Sequence, residues 1–335
     1  MDDTDDTSTA VVPDHPTVLA ALRLGSRAPS VHNTQPWRWV FDGSRLYLFG
    51  DPSRQLSSAD PQGRQLVISC GAMLDHVRTA FAAQGWHTDT TRLPEPGRDD
   101  YLAVIDFRPW QNPPAQVRAR VQAIDRRRTD RLPMLPPHHW EETTRAARDA
   151  AARHDTELGV LDEGVRPRLV AASEQSVALR RYDMQYQNEL RWWSGHHSPA
   201  DGVPVSALAS EAELSQVGVG RAFPPAPRSL RRGDLDDHSR LLVLSSSGDT
   251  PQQWLHTGET LSTILLDCTA AGLATCPLTH ITELMSSRRI ISGLTTRPGQ
   301  PQVLIRVGTA PEEPEQPPTP RRAVSEFLEL RAAPA

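Results

Sequence analysis

The stretch APSVHNTQPWRW, residues 28–39, packs two prolines, two tryptophans and a Ser-Val-His-Asn run into one short connection. A helix predicted over 19–27 must end there, because the residue before Pro29 is pushed out of the helical region. Trp37 and Trp39 then open a strand over 37–40, and a second strand over 45–49 returns through an Asp42-Gly43 turn.

Working outward, GRQLVISCGAMLDHVRTAFAAQGW places Leu66, Cys70, Met73, Val77 and Phe81 on one helical stripe that ends at Gly85. A strand over 102–107 follows. The same order returns late in the chain. GETLSTILLDCTAAGL carries Leu261, Ile264, Leu265, Cys268 and Ala271 on a stripe capped by Gly272, followed by a strand over 301–307. This recurrence predicts a duplicated α+β unit joined near 109–116. The expected division is a flexible tail (1–14), a first half (15–112) and a second half (113–335).

Between the two copies the pattern predicts a helix over 141–153, a strand over 157–161 and one long helix over 168–193. Residues 194–240 have no sustained periodicity and contain Pro199, Pro204, Pro224, Pro225 and Pro227. A connection this long is functional or disordered, and an ordered lid with a short helix over 205–214 is the expectation.

Composition narrows the function. The 335-residue chain carries a formal net charge of −5, which gives no electrostatic footprint for nucleic acid or an anionic membrane. No apolar run approaches the roughly 18 residues of a membrane span, and the acidic N-terminus is unlike a signal peptide, so a cytoplasmic location is expected. Cys70, Cys268 and Cys276 form no C-x-x-C pair and are expected as reduced, buried thiols. The sequence contains no lysine. That excludes a Walker lysine and Schiff-base chemistry, and leaves any phosphate to arginines, backbone N–H groups and hydroxyls.

The densest polar cluster is AIDRRRTDRL, 123–132, where Arg127, Thr129 and Arg131 alternate. In an extended segment they point the same way, as an anion site would need; otherwise the run is a solvated helix end. Arg321-Arg322 is a second basic pair, expected to open a last helix. His138-His139 and His196-His197 lack metal-ligand spacing, so no metal site is expected. G-x-S-x-G and G-x-G-x-x-G are missing, and Glu141-Glu142 belongs to a polar helix face.

These pieces together resemble one family. APSVHNTQPWRW resembles the APSxxNxQPW segment of FMN-dependent nitroreductases, and RRRTDR resembles their R-x-S/T-x-R phosphate motif. The run from Trp254 through AAGLATCPLTH to LIRVGTAP resembles their C-terminal half. With TPRR near the end, the layout is closer still to the actinobacterial Acg-type NAD(P)H nitroreductases.

The resemblance implies a nitroreductase-like α+β fold whose two tandem halves form an intrachain pseudo-dimer with a lid at 194–240. It implies that Arg127, Thr129, Arg131 and Arg322 hold the FMN phosphate and ribityl chain. Pro277, Leu278 and Thr279 would line the isoalloxazine, and Pro29, Ser30, Val31 and Asn33 would close the site from the other half. His280 would be a structural or lid contact, or a group that polarises substrate. Each half keeps the motif the other lacks, so one FMN per chain is expected. NAD(P)H and a small nitro, quinone or related acceptor would be the partners, with the chain a monomer or homodimer. The alternatives are a protein that sequesters FMN with little turnover, and an oxidase or dehydrogenase dedicated to one metabolite.

Overall fold

The computed structural model describes residues 11–194, 201–223, 231–313 and 317–331. Helix α1 (His15–Gly25) starts four residues earlier than the apolar pattern suggests. The Asp14 carboxylate accepts from the Thr17 N–H at 2.9 Å, and Pro16 suits the first turn. Strands β1 (Trp37–Phe41) and β2 (Leu46–Gly50) form the expected hairpin. Asp42 fixes its turn by accepting from the Ser44 and Arg45 N–H groups, while Gly43 takes φ 89°.

The chain continues through α2 (Arg64–Ala83), β3 (Trp86–Arg92), β4 (Tyr101–Pro109), α3 (Ala115–Ile124), α4 (Trp140–Ala152) and β5 (Thr156–Leu161). The single helix expected over 168–193 is two, α5 (Arg166–Arg180) and α6 (Met184–Trp192). Asp183 breaks it by capping α6, accepting from Tyr186 N–H at 3.0 Å. Then come α7 (Glu211–Val217), β6 (Arg240–Ser246), α8 (Pro251–Ala270), β7 (Ala274–Leu278), α9 (Met285–Ser292), β8 (Gln300–Gly308) and β9 (Leu328–Leu330). No helix follows Arg321-Arg322: a single 3₁₀ turn leads into β9, which pairs in parallel with β1. The end of the chain thus joins the sheet of its beginning.

The two sheets run β3-β4-β2-β1-β9 and β7-β8-β6-β5. Apart from β9, every neighbouring pair is antiparallel. The register repeats down to its irregularities. Thr90 pairs with Ile105 and Pro277 with Ile305; a shift falls between Leu48 and Phe49 against β4, and between Leu244 and Ser245 against β8.

Helices α2 and α8 cross between the sheets. All of α2 except Arg78 and Ala83 is buried, including Leu66, Cys70, Met73, Val77 and Phe81 of the predicted stripe. This helix is long and apolar enough to cross a membrane by length and composition alone, but its apolar surface is spent on this packing. At the crossing, a Cβ on Gly71 would lie 2.2 Å from the Leu255 carbonyl oxygen, and one on Gly258 2.1 Å from that of Ile68. Next to it, the Ser262 hydroxyl donates to Asp75 at 2.5 Å and meets His76 Nδ1 at 2.7 Å. The three cysteines are free and buried, and Trp37 and Trp39 are fully enclosed in the core.

Because a methyl at Gly258 meets backbone on the facing helix, Gly258→Ala is expected to cost about 3 kcal/mol by overpacking. Urea unfolding of the full chain should show the midpoint fall; an unchanged midpoint would mean the helices can separate freely.

Candidate functional site

A cavity of about 250 Å³ opens on one side of the α2–α8 crossing. Its walls come from distant parts of the chain: the 27–33 connection, one face of α2, the 127–132 segment, the 203–223 segment with Arg231 and Arg232, Leu261 of α8, the end of β7 with 279–280, Arg306 of β8, and Glu313 with the 317–321 stretch. Of the residues marked by sequence, Pro29, Ser30, Val31, Asn33, Arg127, Thr129, Arg131, Pro277, Leu278, Thr279 and His280 all line it.

One end is cationic. Arg127 is 5% exposed; its Nη2 donates to the Arg27 carbonyl at 3.1 Å, while Nε and Nη1 have no partner among the described residues. Burial, with Arg27 nearby, pushes its pKa down to about 10. Arg321 donates to the carbonyls of Ser26 at 2.8 Å and Arg27 at 3.2 Å, and Arg27 Nη1 to that of Thr319 at 3.0 Å. Burial, then Arg127 and Arg27, pushes Arg321 far down. Three guanidinium groups therefore gather around neutral carbonyl oxygens, which do not balance their charge. Buried cations of this kind are stable only with an anion or at a cost in stability.

The backbone explains which arginines meet. Thr129 bridges to Thr275, and the Asp130 N–H donates to Thr275 O at 2.9 Å, so this segment is extended along β7. Arg131 nevertheless joins a different group. Its Nη1 donates to Ala207 O at 3.1 Å and its guanidinium faces Phe223, 5.5 Å from the ring centroid. The Arg322 assignment is corrected. Its Nη1 donates to Gln35 O at 3.0 Å and its Nη2 to Glu326 O at 2.7 Å, away from the cavity wall, where Arg321 stands instead. In a non-helical segment successive side chains point opposite ways, so only one of the pair can face the cavity.

The other end is flatter and more apolar. Ile68, Ala72 and Leu261 form a floor beside Pro277 and Leu278. Pro277 is tolerated because β7 is an edge strand that need not use every N–H. Across the opening, His32, Asn33 and Gln35 take φ values of 46°, 56° and 50°, a tight left-handed path. Asn33 Nδ2 donates to Gly202 O at 2.9 Å, and Ser30 Oγ accepts from Gln35 N–H at 3.0 Å. These two side chains hold the loop and its cover. His280 Nε2 lies 2.8 Å from Ser173 Oγ, and burial with Arg221 nearby brings its pKa down to about 3, so the ring is neutral.

The 201–223 segment closes over this end. Asp201 pairs with Arg54 at 2.5 Å, and Arg221 bonds both His32 Nε2 and Glu283. Arg232 bridges Asp130 at 3.0 Å and Glu313 at 2.7 Å. Leu208, Val203 and Phe223 pack with Leu56, Tyr186 and Leu190. The short helix expected over 205–214 appears as a 3₁₀ turn (Val205–Ala207) and α7. Its start is set by a capping box between Ser210 and Glu213. Sequence reading missed Arg27, Arg221 and Phe223. Arg27 directly precedes the APS motif and could have been found there; Arg221 and Phe223 sit in aperiodic sequence with no local signal. His196, His197, Pro199, Pro224, Pro225 and Pro227 lie outside the described residues.

On the opposite side of the crossing the equivalent space is filled. The correspondence of Gly71 with Gly258 carries Ala72 onto Glu259 and Thr279 onto Arg92. Glu259 is fully buried, with Arg92 at 2.7 Å, Arg78 at 3.2 Å and His154 at 3.8 Å. An ion cluster thus stands at the position that matches Ala72 of the cavity floor. Among the described residues no group of three His, Cys, Asp or Glu side chains is arranged to hold a metal ion.

Fold and site together define a mixed α+β protein with a buried cavity, cationic at one end and apolar at the other. No family model matches the chain. An uncharacterized protein of Mycobacterium tuberculosis is 47% identical over 320 residues, covering 94% of this chain and 93% of the relative. A protein of the same organism named "Putative NAD(P)H nitroreductase acg" is 43% identical over 317 residues, covering 94% and 96%. The solved FMN-dependent nitroreductase NfnB of Mycobacterium smegmatis, in complex with NADPH, matches 58% of this chain and 88% of its own at 18% identity, with a TM-score of 0.36. The chain belongs to the Acg-type NAD(P)H nitroreductase family.

Burial alone would raise the Glu259 pKa, but Arg92, His154 and Arg78 outweigh it and hold the carboxylate below its usual range. Its stabilising contribution is complete above the unfolded value and lost as pH falls through the folded one. Glu259→Gln should cost about 3–5 kcal/mol at neutral pH by leaving the arginines unpaired. The gap from wild type should narrow below about pH 4, near the ordinary carboxylate value, which urea titrations at several pH values would reveal.

Proposed function

We propose that the protein is an oxidoreductase that binds one FMN per chain between two tandem nitroreductase-like halves, and passes electrons from NAD(P)H to a small nitro, quinone or related acceptor. The observation that carries this reading is the Arg27–Arg127–Arg321 cluster. Arg127 is buried and Arg27 and Arg321 are part-buried, the three lack a balancing carboxylate among their hydrogen-bond partners, and Arg127 Nε and Nη1 are unused. A phosphomonoester dianion fits such a donor set, since guanidinium forks match phosphate oxygens and lose little hydration on binding.

On this reading Arg127, Arg27 and Arg321 take the phosphate, with Thr129 beside them. Ile68, Ala72, Leu261, Pro277 and Leu278 provide a flat apolar bed for the ring, while Pro29, Ser30 and Val31 close it from the first half. Bound FMN supplies hydride and electron transfer. The protein contributes binding, orientation and exclusion of water, so no side chain has to relay a proton for the cavity to serve an enzyme.

The recurrence of strand order, register and bulge supports reading 15–112 and 113–335 as tandem halves, with β9 returning to the first. The Glu259–Arg92–Arg78 cluster supports one flavin rather than two, because it occupies the second site. The contacts of 201–223 support reading 194–240 as a lid. The same contacts favour a second reading, retention of FMN with little turnover, because Arg221 ties the lid to His32 of the first half and Glu283 of the second, and Arg232 ties it to Asp130 and Glu313.

Fluorescence titration of the flavin-free full chain should give one FMN per chain. Arg127→Gln should weaken binding roughly 10- to 100-fold, the worth of about 1.5–3 kcal/mol for a charged hydrogen bond. Two equivalents per chain, or unchanged affinity in the variant, would overturn the assignment. In the loaded protein, anaerobic NADPH or NADH should bleach the flavin; bleaching by dithionite alone would select retention.

A further inference from the structure

We propose that His32 is a fixed N–H donor that binds an oxygen atom of the electron acceptor, and that Arg221 of the lid is the positioning residue that fixes its tautomer. The donor faces a planar aromatic or quinonoid compound with a nitro, carbonyl or carboxylate oxygen. This names the substrate class for the site described above and rests on that reading.

The argument starts from the hydrogen bond between Arg221 Nη1 and His32 Nε2. A guanidinium has donors and no acceptor, so Nε2 must accept and cannot carry the imidazole proton. In a neutral ring the proton then sits on Nδ1. That atom is buried and has no partner among the described residues, in a side chain that lines the cavity. A buried N–H with no acceptor is costly, and a ligand oxygen would remove the cost.

Neutrality follows from the surroundings. Burial, then Arg221 and Arg131, pushes the His32 pKa well below its ordinary value. The charged and titratable groups around the ring are Arg221 from the lid and Arg131 from the segment after α3. Behind Arg221 stand Glu283 and Tyr186, whose hydroxyl donates to Glu283 Oε2 at 3.1 Å, and Arg221 also acts on His280. Arg221 and Glu283 are almost wholly buried, so their pair is rigid and orients the fork.

The ligand class follows from the remaining wall. Phe223 stands edge-on to His32, with centroids 5.4 Å apart, and lines the same cavity. An aromatic wall favours a flat ring, and two cationic groups favour negative oxygens on it. His32 is also held at φ 46°, a strained conformation for a residue with a Cβ, which a purely structural position would not require.

The test is long-range ¹H–¹⁵N NMR on the full-length protein, with 4-nitrobenzoate as probe. Wild-type His32 should show the Nδ1–H tautomer unchanged from pH 5.5 to 8, and the Nδ1 signal should shift on adding the probe. In Arg221→Gln the ring should exchange tautomers and titrate closer to the ordinary histidine range. A wild-type Nε2–H tautomer, or ordinary titration in the wild type, overturns the proposal. In the FMN-loaded protein, His32→Phe should raise KM for 4-nitrobenzoate about tenfold with kcat within twofold; an unchanged KM also overturns it. Failure of FMN to bind, with the Nδ1–H tautomer and the probe shift intact, removes the flavin reading and leaves the oxygen-binding donor standing.

Discussion

The rest of the structure depends on the contact between Gly71 and Gly258. Two 20-residue apolar helices can touch backbone to backbone only because neither residue has a side chain there. That closeness brings one face of α2 and one of α8 to a common wall. It places Ile68 and Ala72 beside Leu261 and so makes the cavity floor. The adjacent Asp75 carboxylate accepts from both Ser262 and Thr263, and this buried network fixes the rotation of one helix against the other.

Around this crossing the two sides have taken opposite solutions to one problem. Each side of a symmetrical crossing would leave a similar space. On one side Glu259 balances Arg92 and Arg78, and the space is a filled ion cluster. On the other, the hydrogen bonds of Arg27, Arg127 and Arg321 go to carbonyl oxygens, and the space is a cavity.

Helices α1, α2, α4 and α8, the hairpin and Arg127 were legible because each leaves a local mark: an apolar stripe, a turn residue, a run of like charge. Strands β3 and β7 left weaker ones, since β3 is polar on its exposed face and β7 carries a proline, while the apolar run of β6 adjoins aperiodic sequence and was not read as a strand. The division of the long helix at Asp183 turned on a single cap. Arg322 was assigned where Arg321 stands because a charge pair in sequence does not say which member faces inward.

The sequence by itself determined the two apolar helices, the duplicated order and the residue types that meet at the cavity, because periodicity, glycine and arginine act on their neighbours. Only the tertiary structure decided which arginines gather, that Glu259 pairs with Arg92 and Arg78, and that Arg221 reaches His32 across 189 positions of the chain. Those outcomes depend on distances between segments more than a hundred residues apart, and no local propensity encodes a distance of that kind. The APSVHN connection shows both at once: Pro29 keeps its helix from continuing, while His32 is bonded by Arg221, a residue it meets only after folding.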